Sequence, residues 1–471
     1  MDALPVTEFR RLDLNSEELG VPVSRLMVNA GKALATAARD MAQGGRVVLL
    51  CGKGNNGGDG FAAAGLLHRW GIDATVVLME GPARSGAVSR QYLELLPKDH
   101  VAAWGRDRRA WKGAAVVVDC LLGSGLHGRP RPPYDQAIRW LNKHPGRVLS
   151  CDVPSGLGTG LAVRPERTVA FHAAKQGMEG ASGDIVVADI GIPKQADQIG
   201  LGDLDAGFVR PGKDSHKGDN GRVLVLGGGP FTGAPHYAGM GAVRSGADLV
   251  HVATTAAVAR TVSSWGPDLL VHDVLHDDVL DIRALDAVLE LAGRCDALVI
   301  GPGLGPDPGS LDLVRAVLDA TDLPAVIDAD GLRALDGATL SRHGPRLLLT
   351  PHHGEFKRLT GRKATAANAE RFAAAHGCTV LVKGATDHVS DGTRTRHCTR
   401  GHPAMTVGGT GDVLAGACGA LLAKGATPFD AACAGAYLVG CAGEVAASLR
   451  SHGMSATDLH EAIPSILLRL G

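Results

Sequence analysis

Three polar side chains crowded into a glycine loop are the first sign of chemistry in this sequence. The loop Gly52-Lys53-Gly54-Asn55-Asn56-Gly57-Gly58-Asp59-Gly60 follows an apolar run, Arg46–Leu50. Glycines let backbone N–H groups approach an anion, while amide carbonyls and a carboxylate are hard oxygen donors for a cation or for polar groups of a ligand. The spacing Gly52-x-Gly54-x-x-Gly57 satisfies the dinucleotide-binding fingerprint, and Glu80 lies near the distance expected of a ribose-binding carboxylate. No Lys-Ser/Thr pair closes the loop, so it is not a Walker A element. A plain strand-to-helix turn with Asp59 as its N-cap would account for Asp59 but not for Asn55 and Asn56.

Two more polar loops follow in the same half. Asp119 precedes Gly123-Ser124-Gly125-Leu126-His127-Gly128-Arg129, and Asp152 precedes Val153-Pro154-Ser155-Gly156. Each aspartate alone could be a helix cap, but three such loops at the carboxyl ends of strands define one pocket. In the second half, Gly408-Gly409-Thr410-Gly411-Asp412 opens an Ala/Leu-rich helix. A glycine loop at a helix start aims N–H groups at an anion, and Asp412 is placed to receive a proton from a hydroxyl undergoing phosphorylation. Turns also fall at Thr350-Pro351-His352-His353-Gly354-Glu355 and Lys383-Gly384-Ala385-Thr386-Asp387.

These loops need strands to hold them. Short apolar runs at Arg46–Leu50, Thr75–Leu78, Ala114–Val118, Arg147–Ser150 and Asp184–Ile190 alternate with Ala/Leu-rich helical stretches. The alternation resumes at Arg222–Leu226, Ala247–Ala253, Ala297–Ile300, Ala325–Asp328, Leu347–Thr350 and Val380–Lys383. Continuous apolar strands spaced by helix-length segments predict buried parallel sheets of the α/β class, in two Rossmann-like three-layer αβα domains. The Gly/Pro/charge-rich composition near residues 205–218 predicts the boundary, giving domains 1–207 and 208–471. No internal repeat relates the halves, which read as a fusion.

Composition narrows the function. The 471 residues carry 48 Lys+Arg against 49 Asp+Glu, which gives nucleic acid or an anionic membrane no electrostatic footprint. The 65 glycines are about twice average usage without a Gly-X-Y period, so the surplus belongs to particular loops. Nine cysteines without a C-x-x-C, several ending apolar runs, predict buried thiols in a reducing cytoplasm. No secretory signal core and no uninterrupted membrane-length apolar stretch is present, so a soluble cytoplasmic protein is expected.

The motifs GKGNNGGDG, VVVDCLLGSGLHG and CDVPSG, with AAKQG and DIGIP downstream, resemble the NAD(P)HX epimerase domain, as do Arg10–Asp13 and Leu26–Gly31. The resemblance spans residues 1 to about 205. It implies binding of a hydrated nicotinamide nucleotide by Asn55, Asn56, Gly57, Gly58, Asp59, by Gly123, Ser124, Gly125, Leu126, His127, Gly128, Arg129, and by Asp152. It also implies potassium held by Asn56, Asp119 and Ser155, with Asp152 as the proton-transfer group at carbon 6.

The second half resembles the ribokinase-like superfamily and, more closely, the ADP-dependent NAD(P)HX dehydratase domain. GRVLVLGGG, TGAP, LTPHHGEF, LVKGATD and VGGTGDVLAG carry this likeness across residues 215–465. It implies that Ala234, Gly303, His352 and Asp412 contact the hydrated nucleotide. Lys383, Gly384, Ala385, Thr386, Asp387 and Gly411 would hold ADP or AMP, Asp412 would be the base, and Mg2+ would accompany the polyphosphate. His353 stands where the family pattern has proline, and Phe231 where tyrosine is frequent, so either of two adjacent histidines could reach the substrate. The likeness also implies a homo-oligomer, a tetramer or larger.

The expectation is a bifunctional repair enzyme that interconverts the R and S hydrates of NADH and NADPH and dehydrates the S form with ADP. Neither the ADP-versus-ATP nor the NADHX-versus-NADPHX preference is decided by these residues. The competing readings are a ribokinase-like kinase for a small alcohol, fused to a non-catalytic nucleotide-binding or RNA-associated module, and a conventional dehydrogenase. The kinase has no reason to carry a complete epimerase-like half, and the dehydrogenase leaves Asn55-Asn56 unexplained.

Overall fold

A computed structural model describes residues 3–81, 85–105, 111, 113–126 and 128–470. The chain divides into two compact units, Met1–Ala196 and Asp197–Gly471. The polar stretch at 205–218 resembles a linker, yet the helix before it, Leu201–Gly207, packs into the second unit. Leu204 is buried in that unit's core, and a Cβ on Gly207 would stand 2.6 Å from that of Ala434.

The first unit is built on seven parallel strands: β1 (Val47–Cys51), β2 (Ala74–Leu78), β3 (Val101–Ala103), β4 (Val116–Cys120), β5 (Arg147–Cys151), β6 (Arg167–Phe171) and β7 (Asp184–Ala188). Their order is β3-β2-β1-β4-β5-β6-β7. All of β1, β2 and β4 is buried, which is why these strands read as unbroken apolar runs. Val47, Leu49 and Cys51 enter one core with Leu34 and Phe61, while Val48 and Leu50 enter the other with Ile138 and Trp111. Helices therefore cover both faces, among them α1 (Val6–Glu18), α2 (Val23–Ala42) and α3 (Asn55–Arg69).

The second unit holds nine strands: β8 (Arg222–Leu226), β9 (Leu249–Thr255), β10 (Leu270–Leu275), β11 (Ala297–Ile300), β12 (Ala325–Ile327), β13 (Leu347–Leu349), β14 (Thr379–Val382), β15 (Asp387–Ser390) and β16 (Thr395–Cys398). They run in the order β10-β9-β8-β11-β12-β13-β14-β15-β16, parallel as far as β14 and antiparallel through β15 and β16. Leu226, Ile300, Ile327 and Leu349 lie in register, so the loops beyond them open along one edge of the sheet. The helix Pro428–Arg450 is long and apolar enough to cross a membrane, but most of it is buried in this unit's core.

Candidate functional sites at the strand ends

In the first unit the glycine loop is shaped by close backbone approach. A Cβ on Gly52 would fall 1.9 Å from the Leu121 carbonyl oxygen, and one on Gly57 would fall 1.9 Å from that of Gly52. The turn is so tight that α3 begins at Asn55, with Gly54 as its N-cap. Asp59 is therefore not the cap; it lies in the helix and lines a cavity of about 760 Å³.

That cavity gathers most of the residues expected of the first site. Asn55, Asn56, Asp59, Gly123, Ser124, Gly125, Leu126, Arg129 and Asp152 all line it. Gly57 and Gly58 are buried in α3 and do not reach the lining, nor does Gly128. His127 lies outside the described residues.

Asp152 follows β5 in a left-handed conformation, φ 64°, inside a γ-turn closed by a 2.7 Å bond from the Val153 N–H to the Cys151 carbonyl. His172 repeats this turn after β6, with φ 65° and a 2.8 Å bond from the Ala173 N–H to the Phe171 carbonyl. The paired turns bring the segments after the two strands together. Asp152 Oδ1 accepts from the Phe171 N–H at 3.1 Å and is salt-bridged to Lys175 Nζ. Lys175 is only 1 % exposed, donates to the carbonyls of Phe171 (2.9 Å) and Ala173 (3.2 Å), and stands 4.1 Å from the centre of the Phe9 ring.

Sequence reasoning passed over Lys175, although it lies inside the AAKQG motif, and over Asp13 on α1. Both line the cavity. Burial, and then the charge of Asp152, push the Asp13 carboxyl up to about 6 against the pull of Lys175. The same burial drives Asp59 well above the carboxylate range, reinforced by Asp152 and Asp13.

Asp119 is fully buried one strand away, in register with Leu50 and Ser150. Its carboxylate accepts from Ser155 Oγ (2.5 Å), the Ser155 N–H (2.9 Å), Ser150 Oγ (2.9 Å) and the Leu121 N–H (3.3 Å). These bonds restrain a carboxyl that burial raises. Asn56 is 7 % exposed, and its buried amide Nδ2 has no hydrogen-bond partner among the described residues. Amide nitrogen and oxygen are interchangeable in such assignments, so an amide oxygen can be turned to this point. Asn56, Asp119 and Ser155 together supply hard oxygens of the kind an alkali cation takes. Among the described residues no cluster of three or more His, Cys, Asp or Glu side chains is arranged for a metal ion.

In the second unit Gly409 turns the chain into the helix Thr410–Ala423 at φ 96°, and its Cα faces the Tyr237 ring so closely that a Cβ would stand 2.7 Å away. Asp412 sits in the first helical turn, and among the described residues no hydrogen bond reaches its carboxyl. Burial and the nearby Asp328 push it up to about 7, with Lys383 opposing. It lines a cavity of about 510 Å³ with Ala234, Gly303, Gly409 and Tyr237. Phe231, 59 % exposed, also lines this cavity.

Lys383 follows β14, pairs through Nζ with the 2 % exposed Asp328 at 2.7 Å, and has Nζ 3.2 Å from where a Gly411 Cβ would be. Burial works against its charge, but Asp328, Glu355 and Asp412 outweigh this and raise it. Asp387 Oδ1 ties back the Gly384 N–H at 2.9 Å, and burial lifts that carboxyl to about 6. Gly384, Ala385 and Thr386 form the exposed to half-exposed turn between them.

The two histidines have different positions. His352 is the N-cap of the helix His353–Thr360: its Nδ1 accepts from the N–H groups of Gly354 (2.9 Å) and Glu355 (3.2 Å), while Glu355 Oε2 accepts from the His352 N–H at 2.8 Å. Its Nε2 lies 3.4 Å from Glu355 Oε1, on a ring that is exposed. His353 lies against Gly384, whose Cβ would come within 2.8 Å of Nε2. Neither His352 nor the 383–387 segment lines the cavity of Asp412.

Residues 23–177 match the family described as YjeF-related protein N-terminus, and residues 223–465 match NAD(P)H-hydrate dehydratase. The chain is 39 % identical to the bifunctional NAD(P)H-hydrate repair enzyme Nnr of Methanothermobacter thermautotrophicus, over 97 % of this chain and 93 % of that one. Enzymes of the same description from Pyrobaculum aerophilum (39 %) and Archaeoglobus fulgidus (36 %) align over 100 % of this chain and 99 % of theirs. A hypothetical protein of solved structure from Streptococcus mutans superposes with a TM-score of 0.51 at 26 % identity, covering 57 % of this chain and 97 % of its own. A ribokinase-like superfamily protein from Enterococcus faecalis shares the fold, with a TM-score of 0.51 at 24 % identity over 57 % of this chain and 94 % of its own.

Proposed function

The chain belongs to the bifunctional NAD(P)H-hydrate repair enzymes, and from that premise we propose how its residues divide the work. The enzyme epimerises hydrated NAD(P)H and dehydrates it, returning a damaged hydride donor to use. Relatives align with both units end to end, which sets aside the small-alcohol kinase and the non-catalytic module.

The first unit, Met1–Ala196, is the epimerase. Asn55, Asn56 and Asp59 at the start of α3 and the Gly123–Arg129 loop hold the nucleotide, and Asp152 moves the proton at carbon 6 with Lys175 holding its carboxylate in place. Gly57 and Gly58 shape the loop from within the helix. Asn56, Asp119 and Ser155 would hold potassium, which would supply a fixed positive charge to the site. Two features support that assignment: the Asn56 amide, whose Nδ2 has no hydrogen-bond partner among the described residues, and the Asp119–Ser155 pair.

The second unit, Asp197–Gly471, is the dehydratase. Hydroxide leaves poorly, so ADP activates it: the carbon-6 hydroxyl oxygen attacks the β-phosphorus, Asp412 takes the proton, and AMP departs with the bridging electron pair. The nitrogen lone pair then expels phosphate from carbon 6, the C6–O bonding pair leaving with it, and the departing phosphate takes the carbon-5 proton whose loss restores the C5=C6 double bond. Backbone N–H groups of Gly408–Gly411, at a helix N-terminus, face the transferring phosphoryl group. Lys383 through Asp387 hold the nucleotide, Ala234 and Gly303 border the ring, and His352 meets the substrate through its exposed ring. Mg2+ would rest mainly on phosphate oxygens, because Asp328 and Glu355 are engaged by Lys383 and His352.

The observation that carries this reading is Asp412, a half-buried carboxyl without a hydrogen-bond partner among the described residues, in the helical turn that follows a glycine loop. S-form NADHX supplied with ADP should yield NADH, AMP and phosphate in equal amounts, and ATP in place of ADP decides donor preference. Substrates are small molecules, with no nucleic acid or membrane partner, and the assembly is a homo-oligomer of four chains or more. Nine free, buried cysteines suit a cytoplasmic setting.

A further inference from the structure

We infer that Asp13 is the second proton carrier of the epimerisation, serving the ring nitrogen while Asp152 serves the carbon-6 hydroxyl. The inference rests on the epimerase reading of this cavity and starts from how α1 is held. The Leu4 N–H donates to the Ala174 carbonyl (2.9 Å) and the Gln176 N–H to that of Leu4 (3.0 Å), clasping the chain before α1 to both sides of Lys175. Arg11 Nη1 and Asn15 Nδ2 both donate to the Ala196 carbonyl, at 3.0 and 2.9 Å. Phe9 and Asp13, four residues apart, share one face of this fixed helix. Phe9 stacks on Lys175, so the next turn sets Asp13 beside the Asp152–Lys175 pair.

Asp13 differs from its neighbours on α1. Glu8 and Arg11 bond one another at 2.8 Å, whereas among the described residues no hydrogen bond reaches the Asp13 carboxyl, which lines the cavity. The charged or titratable groups facing it are Asp59 from α3, Asp152 after β5 and Lys175 after β6. From α2 the cavity receives only Val23, Leu26, Met27 and Ala30. Lys175 pairs with Asp152 and leaves the proton to the others; burial and the Asp152 charge favour keeping it on Asp13. A carboxylate salt-bridged to a lysine, beside a carboxyl that keeps its proton, offers a base and an acid.

In the hydrated ring, carbon 6 bears the hydroxyl and is bonded to the ring nitrogen. Asp152 accepts the hydroxyl proton, the oxygen pair forms a carbonyl, and the C6–N1 bond breaks with its electrons passing to nitrogen, where Asp13 delivers a proton. The aldehyde turns about the C5–C6 bond. Nitrogen adds to its other face as Asp13 recovers the nitrogen proton, and Asp152 returns its proton to the oxygen. The cycle needs no oxidant, reductant or co-reactant.

Exchange between the S and R hydrates of NADH, followed by NMR on the full chain without ADP, tests this role. Wild type should show a bell-shaped pH profile of kcat. Asp13→Asn should lower kcat by about 10²-fold or more, leave KM within a few-fold and erase the alkaline limb, while Asp13→Glu keeps that limb. Circular dichroism verifies that the isosteric amide leaves the helices in place. Asp13→Asn with near wild-type kcat, or with the alkaline limb intact, overturns the inference. No exchange by wild type removes the epimerase reading itself, and this role with it.

Discussion

Lys175 and Asp152 form an ion pair inside the first unit, between a lysine that is 1 % exposed and an aspartate held at φ 64°. Lys175→Met would leave a largely buried carboxylate without its cation. Breaking such pairs costs about 3–5 kcal/mol, and the partial opening of Asp152 to the cavity places the effect at the lower end. Urea unfolding of the first unit should show this loss, and epimer exchange should fall with it.

Asp412→Asn should reduce ADP-dependent recovery of 340 nm absorbance by about 10²-fold or more while epimer exchange continues at the wild-type rate. Near-normal recovery would remove Asp412 as the base.

The same carboxyl gives a pH dependence whose sign can be worked out. Its folded pKa, about 7, lies above the ordinary 3.8, so between these values the folded state binds more protons than the unfolded chain. Stability of the second unit therefore falls as pH rises from about 4 to 7 and is level beyond. Asp412→Asn should raise the melting temperature at pH 8 and leave it nearly unchanged at pH 4. Dehydratase kcat, which needs the ionised base, should run the opposite way and decline below about pH 7.

His353 is the first residue of its helix, directly after the N-cap. That position tolerates proline because its N–H has no intrahelical partner, which explains the proline of the family pattern.

The parallel core of both sheets was legible because β1, β2, β4, β8 and β11 are buried runs of Val, Leu and Ile. β10 was not, since Leu270–Leu275 mixes His272 and Asp273 into a half-exposed strand, and neither were β15 and β16, whose DHVS and TRHC have no apolar run. The three-residue β3 is too short to stand out as a run, and β6 opens on Arg167 and Thr168, which leaves only three apolar residues in its stretch. Asn56 and Asp119 stood out through their glycine-rich surroundings. Asp13 and Lys175 did not: one is a single acid on an amphipathic helix, the other an ordinary lysine until the turns after β5 and β6 bring it to Asp152.

Removing potassium in favour of a larger organic cation should slow epimer exchange in wild type and have no effect in Asn56→Ala, while ADP-dependent dehydration of pure S-form NADHX is unchanged. A potassium response that survives in Asn56→Ala would exclude that amide as a ligand.

The central claim is that one chain both epimerises and dehydrates. Chemically hydrated NADH containing both epimers, incubated with this protein and ADP under conditions where spontaneous epimerisation is slow, should recover its 340 nm absorbance completely, and the Asp152→Asn variant should stop at the share contributed by the S form. Wild-type recovery that halts at that share, or no recovery with either ADP or ATP, would contradict the account.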